Sequence, residues 1–199
     1  MQIINEKDPK AAQLASEFLR AGKIIAFATD TVYGVAADAS NERAVEKLYE
    51  LKKRDAKKPI AIFVPNLTAA KKLFIFDEIS EKIAQQFLPG ALTLILEKKA
   101  ESSSLIAANL NQNDDNSLGF RIVDSFFVTR LFEKFNGFLA VSSANLSNHE
   151  PAQNTEKVAQ YFPDLDLLIA GEISSQIPST VAKISKGKIT IIRQGSVII

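Results

Sequence analysis

Short apolar runs alternate with amphipathic stretches along the first two thirds of the chain. Residues 24–28 and 60–64 are continuous apolar runs, and residues 92–96 are apolar except for Thr93, which we expect to face either the core or a cleft. Such runs are typical of strands that are buried on both faces. Between the first two runs, alanine, valine and leucine recur at helical spacing after Asn41, and charged residues occupy the opposite face. The pattern predicts strands that alternate with helices.

The predicted helices begin at short polar side chains, which can accept hydrogen bonds from a first helical turn. Further apolar runs at 118–123, 138–141 and 165–171 predict more strands, and a glycine at 187 predicts a hairpin over 184–189. We expect an α/β fold with a twisted, mixed, largely parallel open sheet flanked by helices, in a single domain over residues 1–199. The predicted caps are Asp8, Asn41, Asn66, Asp77 or Ser80, Ser125 and Thr155.

Polar side chains follow several of these strands directly. Residues 29–31 and 142–147 are rich in hydroxyls and amides, and residues 178–180 lead into a β-branched run. Such residues suit a polar ligand at the carboxyl edge of a sheet, and they suit a turn or a helix cap equally well. Arg121 lies inside a predicted strand, where its charge needs either a carboxylate of the protein or an anionic ligand.

Residues 52–59 concentrate positive charge, with five of the chain's 24 lysines and arginines, although the net charge is only +1. This basic cluster is consistent with a solvated helix end and with a site for a specific anionic group. Residues 98–117 are rich in Lys, Ser, Asn and Asp, and we expect a mobile surface loop there, a candidate lid.

Composition excludes several classes of protein and site. Without cysteine and with one histidine, His149, we expect no protein-held metal. The sequence has no P-loop, no Gly-x-Gly-x-x-Gly turn and no Gly-x-Ser-x-Gly elbow. No apolar run approaches the roughly 20 residues of a membrane span, and no secretory signal is evident, so we expect a cytoplasmic protein. The remaining cations and hydroxyls suit phosphoryl or nucleotidyl transfer.

Seven short motifs, in order and covering nearly the whole chain, resemble those of the threonylcarbamoyl-AMP synthase family, the YrdC/TsaC proteins. They are Thr29-Asp30-Thr31-Val32-Tyr33-Gly34, Lys52-x-Arg54 with Lys58-Pro59, Pro89-Gly90-x-x-Thr93, Arg121, Ser143-Ala144-Asn145-x-Ser147, Pro178-Ser179-Thr180-Val181 and Arg193-x-Gly195. The resemblance implies a deep basic cavity and an enzyme that joins L-threonine, bicarbonate and ATP into threonylcarbamoyl-AMP with release of pyrophosphate. Magnesium is expected with ATP.

The resemblance also implies roles for individual residues. Lys52 and Arg54 would be catalytic and meet the ATP phosphates, and Arg121 would hold the threonine carboxylate. The implied ATP-binding set is Lys52, Arg54, Lys58, Ser117, Ser143, Asn145 and Arg193, and the threonine-binding set is Thr31, Arg121 and Thr180. The sequence departs from the family's usual residues at Lys58, commonly asparagine, and at Phe63, commonly histidine.

Partners follow from the same resemblance. The product feeds the threonylcarbamoyladenosine modification of tRNA, so a partner transferase complex is expected, with tRNA as a further candidate partner. A double-stranded RNA or tRNA-binding module is one alternative, because the basic cluster would attract a phosphodiester backbone; no aromatic side chains interleave with its cations. A paralogue that performs another carbamoyl or nucleotidyl transfer is the second alternative.

Overall fold

The computed structural model describes residues 1–111 and 116–199, and that part of the chain forms ten strands and six α-helices. The helices are α1 (Ala11–Arg20), α2 (Glu42–Leu51), α3 (Leu67–Leu73), α4 (Glu78–Phe87), α5 (Phe126–Lys134) and α6 (Thr155–Tyr161). The strands are β1 (Gln2–Asn5), β2 (Ile25–Phe27), β3 (Gly34–Asp38), β4 (Ala61–Phe63), β5 (Leu92–Glu97), β6 (Ser117–Arg121), β7 (Leu139–Ser143), β8 (Leu167–Ala170), β9 (Thr180–Ser185) and β10 (Lys188–Arg193).

All ten strands join one mixed sheet in the order β1-β8-β2-β3-β7-β4-β6-β5-β9-β10. The α/β class and the mixed, open sheet are confirmed. Parallel pairs are fewer than predicted, because only β1/β8, β2/β8, β4/β6 and β5/β9 run parallel. The short connection over residues 28–33 cannot hold a crossover, so β3 must return antiparallel to β2.

Most of the predicted helix caps are confirmed. The side chains of Asn41, Asn66, Asp77 and Ser125 each accept a hydrogen bond from the first turn of a helix. Two predicted caps are wrong. Asp8 accepts from the backbone of Lys10 at 2.8 Å, which forms a turn before α1. Asn154 caps α6 instead of Thr155, which is already helical.

Two strands, β1 and β3, have no counterpart among the predicted elements. The sequence of β3 is Gly-Val-Ala-Ala-Asp, whose small residues give little intrinsic strand preference. It is a strand because β2 and β7 pair with it on either side. β1 is an exposed edge strand that is held by its parallel pairing with β8.

The segment after β5, for which we predicted a mobile surface loop and candidate lid, contains local structure and buried side chains in the residues that the structure describes. Short 3-10 helices occupy Ala100–Ser104 and Ala108–Leu110. Ile106 and Leu110 are buried, and the backbone N–H of Ala107 donates to Ala39 at 2.7 Å. These apolar anchors hold the segment against the body of the protein. Of the polar run 111–116, residues 112–115 lie outside the described residues.

The two faces of the sheet are covered unequally. Helices α2, α3, α4 and α6 contribute to the core on one face, and α1 and α5 cover part of the other. On that second face, α1 and α5 pack over β8, β2, β3 and β7, where Phe27 contacts Phe127 with ring centroids 5.8 Å apart. Further along the same face, Ala61, Thr93 and Gly119 line an open cavity.

The last two strands form the predicted hairpin, with Gly187 in the left-handed region at φ 72°. β10 pairs with β9 and is the edge strand at this end of the sheet. Gly195, after β10, packs closely against the start of β9, because a Cβ there would lie 2.3 Å from the Pro178 carbonyl oxygen. Within the described ranges, no helix is both long enough and apolar enough to cross a membrane.

Candidate active site

The uncovered part of the sheet forms a cavity of about 360 Å³. Strands from both halves of the chain contribute to it, so residues distant in sequence share one wall. Gly34, Ala61 and Gly119 leave room over the sheet because they carry small side chains or none. Of the residues predicted for the site, the structure brings together Thr31, Arg54, Arg121, Ser143 and Arg193 in the cavity lining.

Arg121 is the most buried of the cavity arginines, and the structure gives it a partner from the protein. Its guanidinium donates to Asp30 Oδ1 at 2.6 Å, to Thr31 Oγ1 at 2.9 Å and, through Nε, to the Gly90 carbonyl at 2.9 Å. Burial lowers the pKa of Arg121, and the charge of Asp30 opposes that shift. A guanidinium has five N–H donors, so Arg121 keeps two for a ligand in the cavity.

Thr31 is fixed from both sides. Its hydroxyl is 3.0 Å from the Thr29 hydroxyl and accepts the bond from Arg121. Thr29 in turn donates to the Val32 carbonyl at 2.7 Å and accepts from the Thr31 backbone N–H, which makes the tight turn after β2. Both predictions for these hydroxyls are therefore confirmed: they form a turn, and they line the cavity.

Arg54 reaches the cavity from the basic cluster. Its Nε donates to the Lys58 carbonyl and its terminal nitrogen to the Pro59 carbonyl, both at 3.0 Å, so the loop folds around the guanidinium. Burial lowers the pKa of Arg54, and Tyr49 opposes the shift. Lys53, Lys57 and Lys58 are exposed.

Arg193, Ser179 and Thr93 form the wall on the side of β9. Arg193 donates to the Ser179 carbonyl at 3.2 and 2.7 Å, and the Ser179 hydroxyl is 2.9 Å from that of Thr93. Desolvation, and secondly the charge of Arg121, lower the pKa of Arg193. Thr93, which could face either core or cleft, lines the cavity. Ser179 was not among the predicted site residues, although strand alternation could have found it: it lies two residues before Val181, which also lines the cavity.

Thr180 lies on the opposite side of its strand from the cavity lining. It is fully buried, and its hydroxyl donates to the Val197 carbonyl at 2.7 Å and accepts from the backbone N–H of Gly195 at 2.9 Å. The structure therefore gives Thr180 a visible role in holding the segment after β10, next to Arg193.

Four further residues of the predicted site lie outside the cavity lining. Ser117, the first residue of β6, lines a separate hollow of about 350 Å³ beside Glu97 and Lys183. Lys58 is exposed, and its carbonyl rather than its ammonium contacts Arg54. Lys52 and Asn145 are buried and bond to each other. Burial, and secondly the charge of Arg54, lower the pKa of Lys52 to about 7.

The chemistry of the lining favours an anion. Arg54, Arg121 and Arg193 supply positive charge, and the hydroxyl side chains of the same wall supply neutral polar groups. No group of three or more histidine, aspartate or glutamate side chains in the described ranges is arranged to hold a metal ion. What the cavity can do is neutralise and orient an anionic ligand.

Comparisons with known proteins agree with this arrangement. A family model for Sua5, YciO and YrdC proteins, described as "Telomere recombination", matches residues 17–195. A protein of Methanocaldococcus jannaschii is 32% identical over 196 residues, which cover 98% of this chain and 90% of the relative. Human threonylcarbamoyl-AMP synthase is 34% identical over 195 residues, covering 94% of this chain and 67% of the human protein.

A solved structure extends the match to the whole architecture. The structure of Pyrococcus abyssi Sua5 complexed with L-threonine superposes with a TM-score of 0.88 at 28% identity, and the match covers 98% of this chain. This chain spans 57% of that longer protein. Motif order, sheet topology and the family match over residues 17–195 lead to one assignment. The chain belongs to the Sua5/YciO/YrdC family.

Proposed function

We propose that this chain is an L-threonylcarbamoyladenylate synthase, which makes threonylcarbamoyl-AMP and pyrophosphate from L-threonine, bicarbonate and ATP. The observation that carries the proposal is the cavity in which Arg54, Arg121 and Arg193 converge beside Thr31. The relatives support it, since several are named for this activity and one structure holds L-threonine.

Threonine is assigned to the Arg121 side of the cavity. Arg121 retains two N–H donors after bonding to Asp30, Thr31 and Gly90. One donor remains on each terminal nitrogen, and two donors on one guanidinium suit the two oxygens of an amino-acid carboxylate.

ATP is assigned to the side of Arg54 and Arg193. Both guanidiniums are anchored by backbone carbonyls, so they are held in place before a phosphate arrives and little side-chain entropy is lost on binding. Magnesium would enter with ATP, coordinated by phosphate oxygens and water, as is usual for this ion. The hard oxygens of ATP suit the ion, and the described lining supplies hydroxyls, carbonyls and cations rather than a carboxylate cage.

The reaction needs positioning more than covalent chemistry. Bicarbonate and the threonine amine form a carbamate with loss of water. A carbamate oxygen then attacks the α-phosphorus of ATP, and the bond to pyrophosphate breaks. Negative charge accumulates on the departing pyrophosphate, and preorganised cations such as Arg54 and Arg193 stabilise that charge. The product would be consumed by a transferase complex that modifies tRNA.

The test is release of pyrophosphate by the purified protein with threonine, bicarbonate and ATP. We expect release that disappears when threonine is omitted, together with a threonylcarbamoyl adenylate detected by mass spectrometry. The Arg121→Met variant should lose threonine-dependent release, and Arg43→Met, at an exposed position of α2, is the matched control. The absence of threonine-dependent release from the native protein would contradict the proposal.

The same experiments separate the two alternatives. A paralogue with another carbamoyl or nucleotidyl transfer would release pyrophosphate from ATP without a need for threonine. An RNA-binding module would bind tRNA at sub-micromolar affinity with a steep dependence on salt concentration, since each neutralised phosphate releases counterions.

A further inference from the structure

Lys52 is buried against the loop that follows β7, and all of its donors are used there. Its side chain is 1% exposed, and its ammonium donates to the carbonyls of Ser143 and Asn145 and to Asn145 Oδ1 at 3.4 Å. The charged ammonium has three N–H donors and the neutral amine has two. The three acceptors, at the end of β7 and in the loop after it, therefore leave no donor for a ligand in either form.

Asn145 is saturated in the same way. Its Oδ1 also accepts from the Ser143 hydroxyl at 2.5 Å, and its Nδ2 donates to the carbonyls of Leu146 at 2.9 Å and His149 at 2.7 Å. The Lys52 carbonyl accepts from the backbone of Ser147 at 3.0 Å, which adds a second tie between the segments. We call Lys52 and Asn145, with the bonds between them, the Lys52–Asn145 brace.

Backbone geometry explains why two neighbouring cations point to different places. Lys52 is the C-terminal cap of α2, and Lys53 follows in the left-handed region at φ 48°. The chain reverses at Lys53, so Lys52 remains under the helix end and Arg54 emerges into the cavity. In this Lys-x-Arg motif, Lys52 therefore makes contacts inside the protein, whereas Arg54 lines the cavity.

We propose that Lys52 and Asn145 are positioning residues, which hold Ser143 and its neighbours as part of the cavity wall, and that Lys52 does not contact the phosphates of ATP. This inference rests on the proposed function, because it assigns the nucleotide to the cavity. Ser143, the last residue of β7, lines the cavity, and Asn145 accepts a hydrogen bond from its hydroxyl.

Two fragments of ATP distinguish a brace from a phosphate ligand. We expect Lys52→Met to weaken binding of adenosine, which carries no phosphate, at least about tenfold in calorimetry and to leave binding of inorganic pyrophosphate within about twofold of the native protein. Arg54→Met should do the reverse, and Lys53→Met, an exposed neighbour, should change neither. Loss of pyrophosphate affinity in Lys52→Met, comparable to that in Arg54→Met, would overturn the proposal.

A double mutant tests whether Lys52 and Asn145 act as one unit. Because each single change breaks the same brace, the KM for ATP in Lys52→Met/Asn145→Ala should be no higher than about twofold above that of the worse single variant, with the KM for threonine unchanged. Two independent ligand contacts would instead give losses that multiply. Absence of all threonine-dependent turnover in the native protein would count against the proposed function. The affinities for the two fragments of ATP would still test the proposed role of Lys52 and Asn145.

The native protein supplies a measurement that does not depend on the folding of a variant. In acylation by a soluble amine-reactive reagent, followed by mass spectrometry of peptides, Lys52 should react far more slowly than Lys53 and at the same rate with or without ATP. Labelling of Lys52 at the rate of Lys53, together with protection by ATP, would show a solvent-accessible phosphate contact and overturn the proposal.

Discussion

Replacement of Asp30 by asparagine removes one charge from the buried Arg121–Asp30 pair and keeps an acceptor of similar shape. The pair is close and desolvated, with a separation of 2.6 Å and side-chain exposures of 5% and 10%. Two unit charges about 4 Å apart attract by about 4 kcal/mol at an effective dielectric constant of about 20. The cost of burying the carboxylate offsets part of this attraction, so we expect a loss of about 3 kcal/mol in unfolding free energy.

Urea unfolding at constant pH measures this loss directly. The matched control is Glu81→Gln, because Glu81 pairs with Lys71 at the surface, with exposures of 40% and 41%. The same chemical change should cost less than about 1 kcal/mol there. An Asp30→Asn variant that is no less stable than Glu81→Gln would refute the assignment of a buried ion pair to Arg121.

Threonine adds a second, independent readout of the same variant. In Asp30→Asn the charge of Arg121 is uncompensated, and the carboxylate of bound threonine can replace the missing charge. We therefore expect threonine to raise the unfolding free energy of the variant by at least as much as that of the native protein. If threonine stabilised the native protein but not the variant, Asp30 would be required to orient Arg121 for its ligand.

Three further outcomes follow from the contacts of the site. Arg54→Met should raise the KM for ATP by about tenfold or more, measured by pyrophosphate release, with Lys53→Met unchanged. Folding lowers the pKa of Lys52 from 10.5 to about 7, so the unfolded state binds more protons than the folded state between these pH values. The unfolding free energy of the native protein, relative to that of Lys52→Met, should therefore rise with pH between about 7 and 10.5. Urea unfolding at several pH values should show a rise of up to about 1.4 kcal/mol per pH unit. Gly195→Ala should lower the melting temperature and raise the KM for ATP, because its Cβ would meet Pro178 and displace the segment beside Arg193.

Local rules predicted those parts of the fold that local interactions determine. Asn41 and Ser125 are caps because each side chain bonds to a backbone N–H three residues ahead, which sequence alone can show. β3 could not be predicted in the same way, since its Gly and Ala residues become a strand only between β2 and β7. Because β3 pairs antiparallel with both β2 and β7, the sheet has fewer parallel strand pairs than the sequence predicted.

In the candidate site, too, the sequence predicted what depends on local residues and not what depends on distant contacts. The strand-end hydroxyls and the buried Arg121 were predictable because such residues are costly in a core and suit the edge of a sheet. The sequence could not predict that Lys52 and Arg54 point in different directions. Their directions depend on the left-handed backbone at Lys53 and on acceptors from a segment some 90 residues away. The position of Thr180 outside the cavity lining was also not predictable, because its hydroxyl bonds to Val197, which is 17 residues further along the chain.

The hydrogen bonds that build the cavity join segments far apart along the chain. Thr31 and Arg121 are separated by 90 residues, Lys52 and Asn145 by 93, and Thr93 and Ser179 by 86. Each contact closes a long loop, whose entropy must be lost before the contact stabilises anything, and chains rich in such contacts fold slowly. No short stretch of this chain carries both walls of the cavity, so the capacity to bind ligand should emerge only as the sheet is completed during refolding.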